Sequence, residues 1–395
     1  MQKKKTALSI PMMLITILLA CGTGYPGVTP EILLGARGIA SMNLDYTAAG
    51  GEETVSDFSD TSLLVGFRQK LYSNYRGALV IGFQFPDEGS RLEPILFHQV
   101  FLRVEDRSNI FKIGRTRVRS AMIEFPTLRD DDAIDFTDIL NPFSSGEDTE
   151  DNQYGNIVEA TRIFGQRYRL SAYGEHLRNE NEASTKDFGF NALGISFQYR
   201  VPESQRWNRE VLNQIGISLN TALTDRPGYS GLDKSLKSIT FSTVLNIRPD
   251  PVHFWDLRHQ SIFNMGFSET KAVTDYADLT RARSFSTFTS IRYLYRKLER
   301  PAVQAALSYG YKTFPDLTNS SSQHRLIANG FYRLGANFDA GLQVGYLKNT
   351  GDLKAFAGEH ETEVQFALIY SIEQLWNSQF DDRESLLNLE HGYIP

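Results

Sequence analysis

The feature that most constrains this chain is a period-two pattern that recurs without a fixed repeat length. Apolar and polar residues alternate over segments of about ten residues. In residues 302–314, Val303, Ala305, Leu307, Tyr309 and Tyr311 fall on one face, and Gln304, Ala306, Ser308, Gly310 and Lys312 on the other. Ile215, Ile217, Leu219 and Leu223 oppose Gly216, Ser218, Asn220 and Ala222, and Phe338, Ala340, Leu342, Val344 and Tyr346 oppose Asn337, Asp339, Gly341, Gln343 and Gly345. Ile239, Phe241, Leu245 and Ile247 oppose Thr240, Ser242 and Asn246 in the same way. Such alternation places the two residue classes on opposite faces of a strand. Sixteen candidate strands start near Ile32, Ser62, Gly77, Leu96, Ile110, Asn156, Arg167, Phe188, Gln214, Ser238, Gln260, Ser284, Ala302, Arg325, Asn337 and Glu363. No consensus of 20 to 50 residues accompanies them, which argues against a propeller or solenoid.

The composition of the two faces decides between architectures. No run of eighteen apolar residues occurs, so a helical membrane protein is excluded. A soluble sandwich also alternates, but its wet faces are rich in Lys and Glu. Here the polar faces carry Gly, Ser, Thr, Asn and Gln with scattered Arg, and the apolar faces carry aromatics near strand ends: Phe197 and Tyr199, Tyr293 and Tyr295, Tyr309 and Tyr311, Tyr346 and Tyr370. A wet lumen and aromatic girdles explain both. The expected fold is all-β: a transmembrane antiparallel barrel of about 16 strands.

Connections supply an independent check. Ser73–Arg76, Glu105–Asn109, Gly165-Gln166 and Leu334–Ala336 are short and fall on one side. Those on the other side are longer and polar: 175–187, 225–234, 269–281, 315–323 and 348–360. Short turns face the periplasm in outer-membrane barrels, so both termini are expected there. Two turns on the short side, Val201–Asn208 and Pro249–Arg258, are expected to be longer, with Trp207 and Trp255 in the headgroup region.

The N-terminus reads as an export signal over residues 1–24: Lys3, Lys4 and Lys5, then the apolar stretch Ala7–Ala20, then small residues. Leu18-Leu19-Ala20-Cys21 resembles a lipobox, which would make Cys21 a lipidated first residue; ordinary cleavage after Gly22 or Gly24 is equally open. The single Cys forms no internal disulfide and no haem-attachment pair. The barrel is expected over 25–372 and a periplasmic tail over 373–395, where Asp381 or Asp382 can cap a short helix through Leu386, Leu387 and Leu389. Gln365–Ile372 resembles the signal by which the barrel assembly machinery recognises a last strand.

The longest irregular stretch, about Thr116–Gly155, separates the fifth and sixth candidates. It is acidic, with Glu124, Asp130, Asp131, Asp132, Asp135 and Asp138 followed by Glu147, Asp148, Glu150 and Asp151. It also holds Ile123, Phe125, Ile134, Phe136, Ile139, Leu140 and Phe143, which a solvated loop does not need. Cations stand on the polar faces of the early strands: Arg37 with Gly35 and Ser41, Arg68 with Gly66, Arg103 with Gln99, Lys112 with Gly114. An acidic loop folded inward would face them, and opposed charges across a narrow channel act on passing ions. The competing reading is that such lumen cations are structural, paired groups. Asp130-Asp131-Asp132 lacks the spacing of a calcium loop, so no metal or cofactor is expected.

Gln99-Val100-Phe101-Leu102-Arg103, followed by Ile110-Phe111-Lys112-Ile113-Gly114-Arg115, resembles the stretch of the Gram-negative general diffusion porins that ends in Gly-Arg just before their constriction loop. The resemblance implies a sixteen-stranded barrel and a homotrimer in outer-membrane lipid. It also implies a loop between strands 5 and 6 folded into the lumen, with carboxylates facing a basic wall, and passive diffusion of small hydrophilic solutes and ions. The chain departs from that pattern at Ile123-Glu124-Phe125-Pro126, where the porin loop has Pro-Glu-Phe-Gly-Gly, and in its C-terminal extension. The alternative is a scaffold or adhesive barrel without an open pore. A formal charge of −6 argues against nucleic acid as partner. None of the seven His lies in a Gly-x-Ser-x-Gly or His-Glu-x-x-His setting, and no enzyme is expected, although a serine nucleophile is not recognisable from spacing.

Overall fold

The computed structural model describes residues 31–47, 52–57, 62–71, 74–84, 96–117, 123, 154–176, 192–201, 210–223, 235–265, 283–297, 300–315, 321–335, 337–354 and 358–376. The expected signal segment with Cys21, the expected tail beyond Trp376, and Trp207 lie outside the described residues.

Among the described residues seventeen strand segments form one antiparallel sheet. They are β1 (Glu31–Thr47), β2 (Glu52–Asp57), β3 (Ser62–Lys70), β4 (Arg76–Gln84), β5 (Leu96–Glu105), β6 (Asn109–Arg117), β7 (Tyr154–Phe164), β8 (Tyr168–His176) and β9 (Ala192–Arg200). Then come β10 (Leu212–Leu223), β11 (Ser235–Ile247), β12 (His253–Asn264), β13 (Ser284–Lys297), β14 (Arg300–Phe314), β15 (Ser321–Arg333), β16 (Phe338–Asn349) and β17 (His360–Trp376). From β3 onward each pairs with the next in sequence, β2 and β3 both pair with β1, and β17 returns to β1 in a ladder from Ile32↔Trp376 to Thr47↔Glu361. The sheet is therefore a closed barrel without a free edge, the closure that a membrane-spanning sheet would need.

All sixteen expected strands are present, and one segment was not expected. β2 pairs with the far half of β1 (Ser41↔Asp57 to Tyr46↔Glu52), and β3 pairs with its near half (Glu31↔Arg68 to Arg37↔Ser62). The two pair with successive halves of β1 on the same side and count as one stave, which gives sixteen staves among the described residues. β17 also runs to Trp376 rather than ending near Ile372. The long turn expected at Pro249–Arg258 is instead short, and Trp255 sits within β12, paired with Ile247 and Tyr293. Its outward neighbours alternate with Phe254, Asp256 and Arg258, which are buried; the two inward charges had given this strand the polarity of a turn.

Connections at one end are short, except that between Arg200 and Leu212, which spans residues 201–211 as the longer turn expected there. Gly165 (φ 56) and Gln166 (φ 66) both take left-handed conformations, as a tight hairpin requires. Asp106 and Asp250 cap two further turns: Asp106 Oδ1 accepts the Ser108 and Asn109 amides at 2.6 and 2.7 Å, and Asp250 Oδ1 those of Val252 and His253 at 2.9 and 2.8 Å. Arg167 donates to both oxygens of Glu210 at 2.7 and 2.8 Å and to the Tyr199 hydroxyl at 3.0 Å, joining two adjacent turns. These backbone bonds hold the Asp106 and Asp250 carboxyls below the usual range, and the Arg167 hydrogen bonds do the same for Glu210.

Burial follows the alternation. Leu219, Ile217, Leu307, Leu342 and Leu368 point outward and are about half exposed, whereas their neighbours on the other face are buried. Aromatic contacts ring the short-turn end: Tyr168 with Phe197 and Tyr199, Trp255 with Tyr293, His253 with Tyr295, Phe338 with Tyr370. Tyr309 and Tyr311 meet the His324 ring toward the other end.

Candidate functional site: the inner wall of the barrel

Inward positions carry the charges. Among the described residues buried there are seven cations, Arg68, Arg103, Lys112, Arg258, Arg292, Lys312 and Arg325, against four carboxylates, Glu31, Glu159, Asp256 and Glu363. The register explains their grouping. Glu31, Arg68, Ala78, Arg103, Lys112 and Glu159 are successive lateral partners across β1, β3, β4, β5, β6 and β7.

Three of the four expected wall cations thus lie side by side on the inner face. Arg68 Nε is 2.5 Å from Glu31 Oε2, and Arg103 Nη2 is 2.5 Å from Glu105 Oε2. Lys112 Nζ lies 4.4 Å from the centre of the Phe101 ring. Arg37 lies in β1 opposite Ser371 and Ser62 in the register; its side chain lies outside what is described. Ion pairing of Arg68 and Arg103 agrees with a structural role for them. Behind these charges Leu33, Leu64, Ala78, Val80 and Phe101 form an apolar cluster on the inner face. Gly114 (φ 136) brings β6 against it: a Cβ there would lie 2.3 Å from the Val100 carbonyl oxygen and 2.6 Å from Phe101 Cα.

The far wall is built differently. On β12 and β13 Asp256 is fully enclosed and accepts from two guanidinium groups, Arg292 Nε at 2.9 Å and Arg258 Nη2 at 3.3 Å, with Arg292 Nη2 closer still. Above it lies an apolar island, Val244, Ile262, Phe288 and Ile327, and Ile123 is seated in it at 6% exposure. The Ile123 amide donates to Gln260 Oε1 at 3.3 Å. Ile123 belongs to the connection between β6 and β7, yet its contacts are with β11, β12, β13 and β15, which lie nearly across the barrel from β6. The chain from Arg117 to Ile123 can span roughly 20 Å when extended, at about 3.3 Å per residue.

Glu124, Asp130, Asp131, Asp132, Asp135 and Asp138 lie outside the described residues. The inner wall also holds charges not expected there from the sequence, Arg258, Arg292, Arg325 and Asp256, together with Lys312, which the alternation had placed on a polar face. Lys312 alternates with Ser308 and Gly310 on the polar face of its strand, whereas Asp256 and Arg258 fell in a segment with the polarity of a turn. A further lateral bond crosses a strand: the Tyr173 hydroxyl donates to Asn220 Oδ1 over Gly194, where a Cβ would lie 2.3 Å from the tyrosine ring. No group of three metal-ligating side chains occurs among the described residues.

A closed sixteen-stave barrel with an apolar, aromatic-belted outside and a charged inside is a porin-like β-barrel fold. Solved structures of that fold superpose on it. The anion-selective porin from Comamonas acidovorans matches at a TM-score of 0.60 and 12% identity, over 87% of this chain and all of that one. OmpF of Salmonella typhi, in complex with daunomycin, matches at 0.58 and 14%, over 86% and 97%. The outer membrane channel DcaP of Acinetobacter baumannii matches at 0.56 and 13%, over 88% and 98%. At these identities the likeness is one of fold. No family model matches the sequence, and no curated protein matches it either.

Proposed function

We propose that this protein is an outer-membrane channel for passive diffusion of small hydrophilic solutes, narrowed by the segment between β6 and β7. The seating of Ile123 on the far inner wall carries this reading: a surface loop has no reason to bury an aliphatic side chain there. The net basic inner wall complements the acidic segment, whose carboxylates Glu124, Asp130, Asp131, Asp132, Asp135 and Asp138 would line the constriction. The membrane location, periplasmic termini and cleavage between Cys21 and Tyr25 belong to the same proposal. So does assembly as a homotrimer, in keeping with the trimer form of the similarly folded outer membrane protein OmpT of Vibrio cholerae.

Planar-bilayer recording on purified protein tests it. Discrete conductance steps are expected, and deletion of Asp130–Asp151 raises their height. Replacing Asp130, Asp131 and Asp132 by Asn shifts the reversal potential away from cation preference. One observation favours a second reading, a filled scaffold barrel: Gln99, Gln260 and Gln365 face inward and are fully enclosed. Inserted protein that shows no steps, with or without the deletion, would establish the scaffold and refute the channel.

A further inference from the structure

Outward positions are apolar or aromatic on most staves, as with Ile215, Ile217 and Leu219 on β10 and Phe366 and Leu368 on β17. β12 and β13 break the rule. Between Trp255 and Phe263 the outward positions of β12 include His259 and Ser261, and between Phe285 and Tyr293 those of β13 include Thr287 and Thr289. The register sets His259 beside Thr289 and Ser261 beside Thr287. Polar side chains on a lipid-facing surface are costly and mark function by default.

Their contacts run in a chain. Ser261 Oγ is 2.9 Å from His259 Nε2, and His259 Nδ1 is 2.8 Å from Thr289 Oγ1. The Ser261 hydroxyl donates to Thr287 Oγ1 at 3.3 Å. We infer that Ser261, His259 and Thr289 form a nucleophile, base and orienting group on the membrane face, acting on the carboxylic esters of glycerolipids. In the tautomer that donates Nδ1–H to Thr289, and with the Ser261 hydroxyl turned from Thr287 to the ring, the Nε2 lone pair accepts the serine proton. The inference rests on the outward face being the lipid face, but not on an open pore.

The position suits that substrate. Thr287 and Thr289 are register partners of Tyr311 and Tyr309 on β14, tyrosines of the upper girdle. Girdle level is where lipid ester groups meet water. His259 and Ser261 are half-buried, so a lipid arriving by lateral diffusion reaches them. Ser261 Oγ attacks the ester carbonyl carbon while its proton passes to Nε2, and the Thr287 hydroxyl donates to the developing oxyanion. Collapse breaks the ester C–O bond, and the glycerol oxygen leaves with the Nε2 proton. Water, losing a proton to Nε2, then attacks the acyl-serine; the fatty acid departs, and that proton returns to Ser261 Oγ.

A second serine–histidine pair serves as control. Ser322 Oγ is 3.1 Å from His324 Nε2, but Ser322 is buried and its hydroxyl also meets Thr350 Oγ1 at 2.8 Å.

The test uses the full chain in detergent micelles, with barrel closure checked by heat-modifiable gel mobility. It reads covalent labelling by an alkyl fluorophosphonate, mapped by mass spectrometry, and fatty acid release from diacyl phosphatidylethanolamine in mixed micelles. We expect the adduct on Ser261, absent in Ser261→Ala, reduced about 100-fold or more in His259→Ala, and unaffected by Ser322→Ala. Thr289→Val lowers turnover and moves the pH–rate profile, and Thr289→Ser restores both. A closed barrel with no adduct, or with the adduct elsewhere, overturns the assignment. So does fatty acid release that survives Ser261→Ala, or a pH profile indifferent to Thr289→Val. A cluster that merely satisfies its own hydrogen bonds would give those negative results while conductance stays as it is.

Discussion

The two inner walls of this barrel hold their charges by different means. On β3 to β6 each paired cation has its own carboxylate, Arg68 with Glu31 and Arg103 with Glu105, and the ion pairs stand over an apolar cluster. On β12 and β13 one carboxylate, Asp256, serves both Arg258 and Arg292, and beside it an apolar island receives Ile123. The first wall is where the acidic segment departs; the second is where it lands. Side chains at the departure wall are fixed by local pairing, whereas the landing wall is completed by a residue brought from across the lumen. A wall completed in that way is the one a single substitution can open.

Several measurements would break or sharpen this contrast. The largest effect is expected at Asp256→Asn, which leaves two guanidinium groups facing one neutral amide in an enclosed site; losing a buried partner costs about 3–5 kcal/mol. Urea unfolding of the barrel should show it, and a loss no larger than at Arg103 would erase the distinction between the walls. Next comes Ile123→Asp, which forfeits roughly 2 kcal/mol of apolar burial and places a charge on the island. Its signature is functional: larger and noisier conductance steps with gel mobility unchanged. Unaltered steps would mean that the seat does not hold the constriction. Arg103→Gln should be milder, about 1 kcal/mol or less, because Glu105 keeps access to solvent.

The smallest effect belongs to the turns. Asp250 is held below its ordinary range, first by the Val252 amide. A depressed carboxyl stabilises the fold at pH values above its unfolded-state pKa, and this contribution fades as pH falls through the folded-state value. Asp250→Asn should therefore lower Tm slightly at neutral pH and not at all in strong acid. A Tm difference that persists in acid would assign the effect to geometry rather than charge.

Period-two alternation made the staves legible because a barrel stave must sort its side chains in from out at every residue. It failed where that sorting is locally disguised. Glu52–Asp57 was passed over because Glu-Glu-Thr-Val-Ser-Asp has little apolar content, and its pairing is supplied by the length of β1. His253–Arg258 read as a turn because Asp256 and Arg258 point inward as a pair, an arrangement only three-dimensional neighbours reveal. The basic wall was readable at Arg68, Arg103 and Lys112 through parity alone. Ile123 was noted among apolar residues of an acidic stretch, but its seat lies on β11 to β15, far away in sequence. His259 and Ser261 were likewise visible as residues two apart; the 2.9 Å between them was not.

The ladder between β1 and β17 has a temporal consequence. Its two sides are the first and last strands of the sheet, so the seam can be sewn only after every strand between them has been made. Contacts of such separation in sequence form late and slowly. Until Trp376 meets Ile32, both strands offer bare backbone edges to whatever lies nearby, and the chain must be chaperoned or kept apart from its copies. Loss of the last strand would therefore be felt less as weakened stability than as a barrel that never finishes.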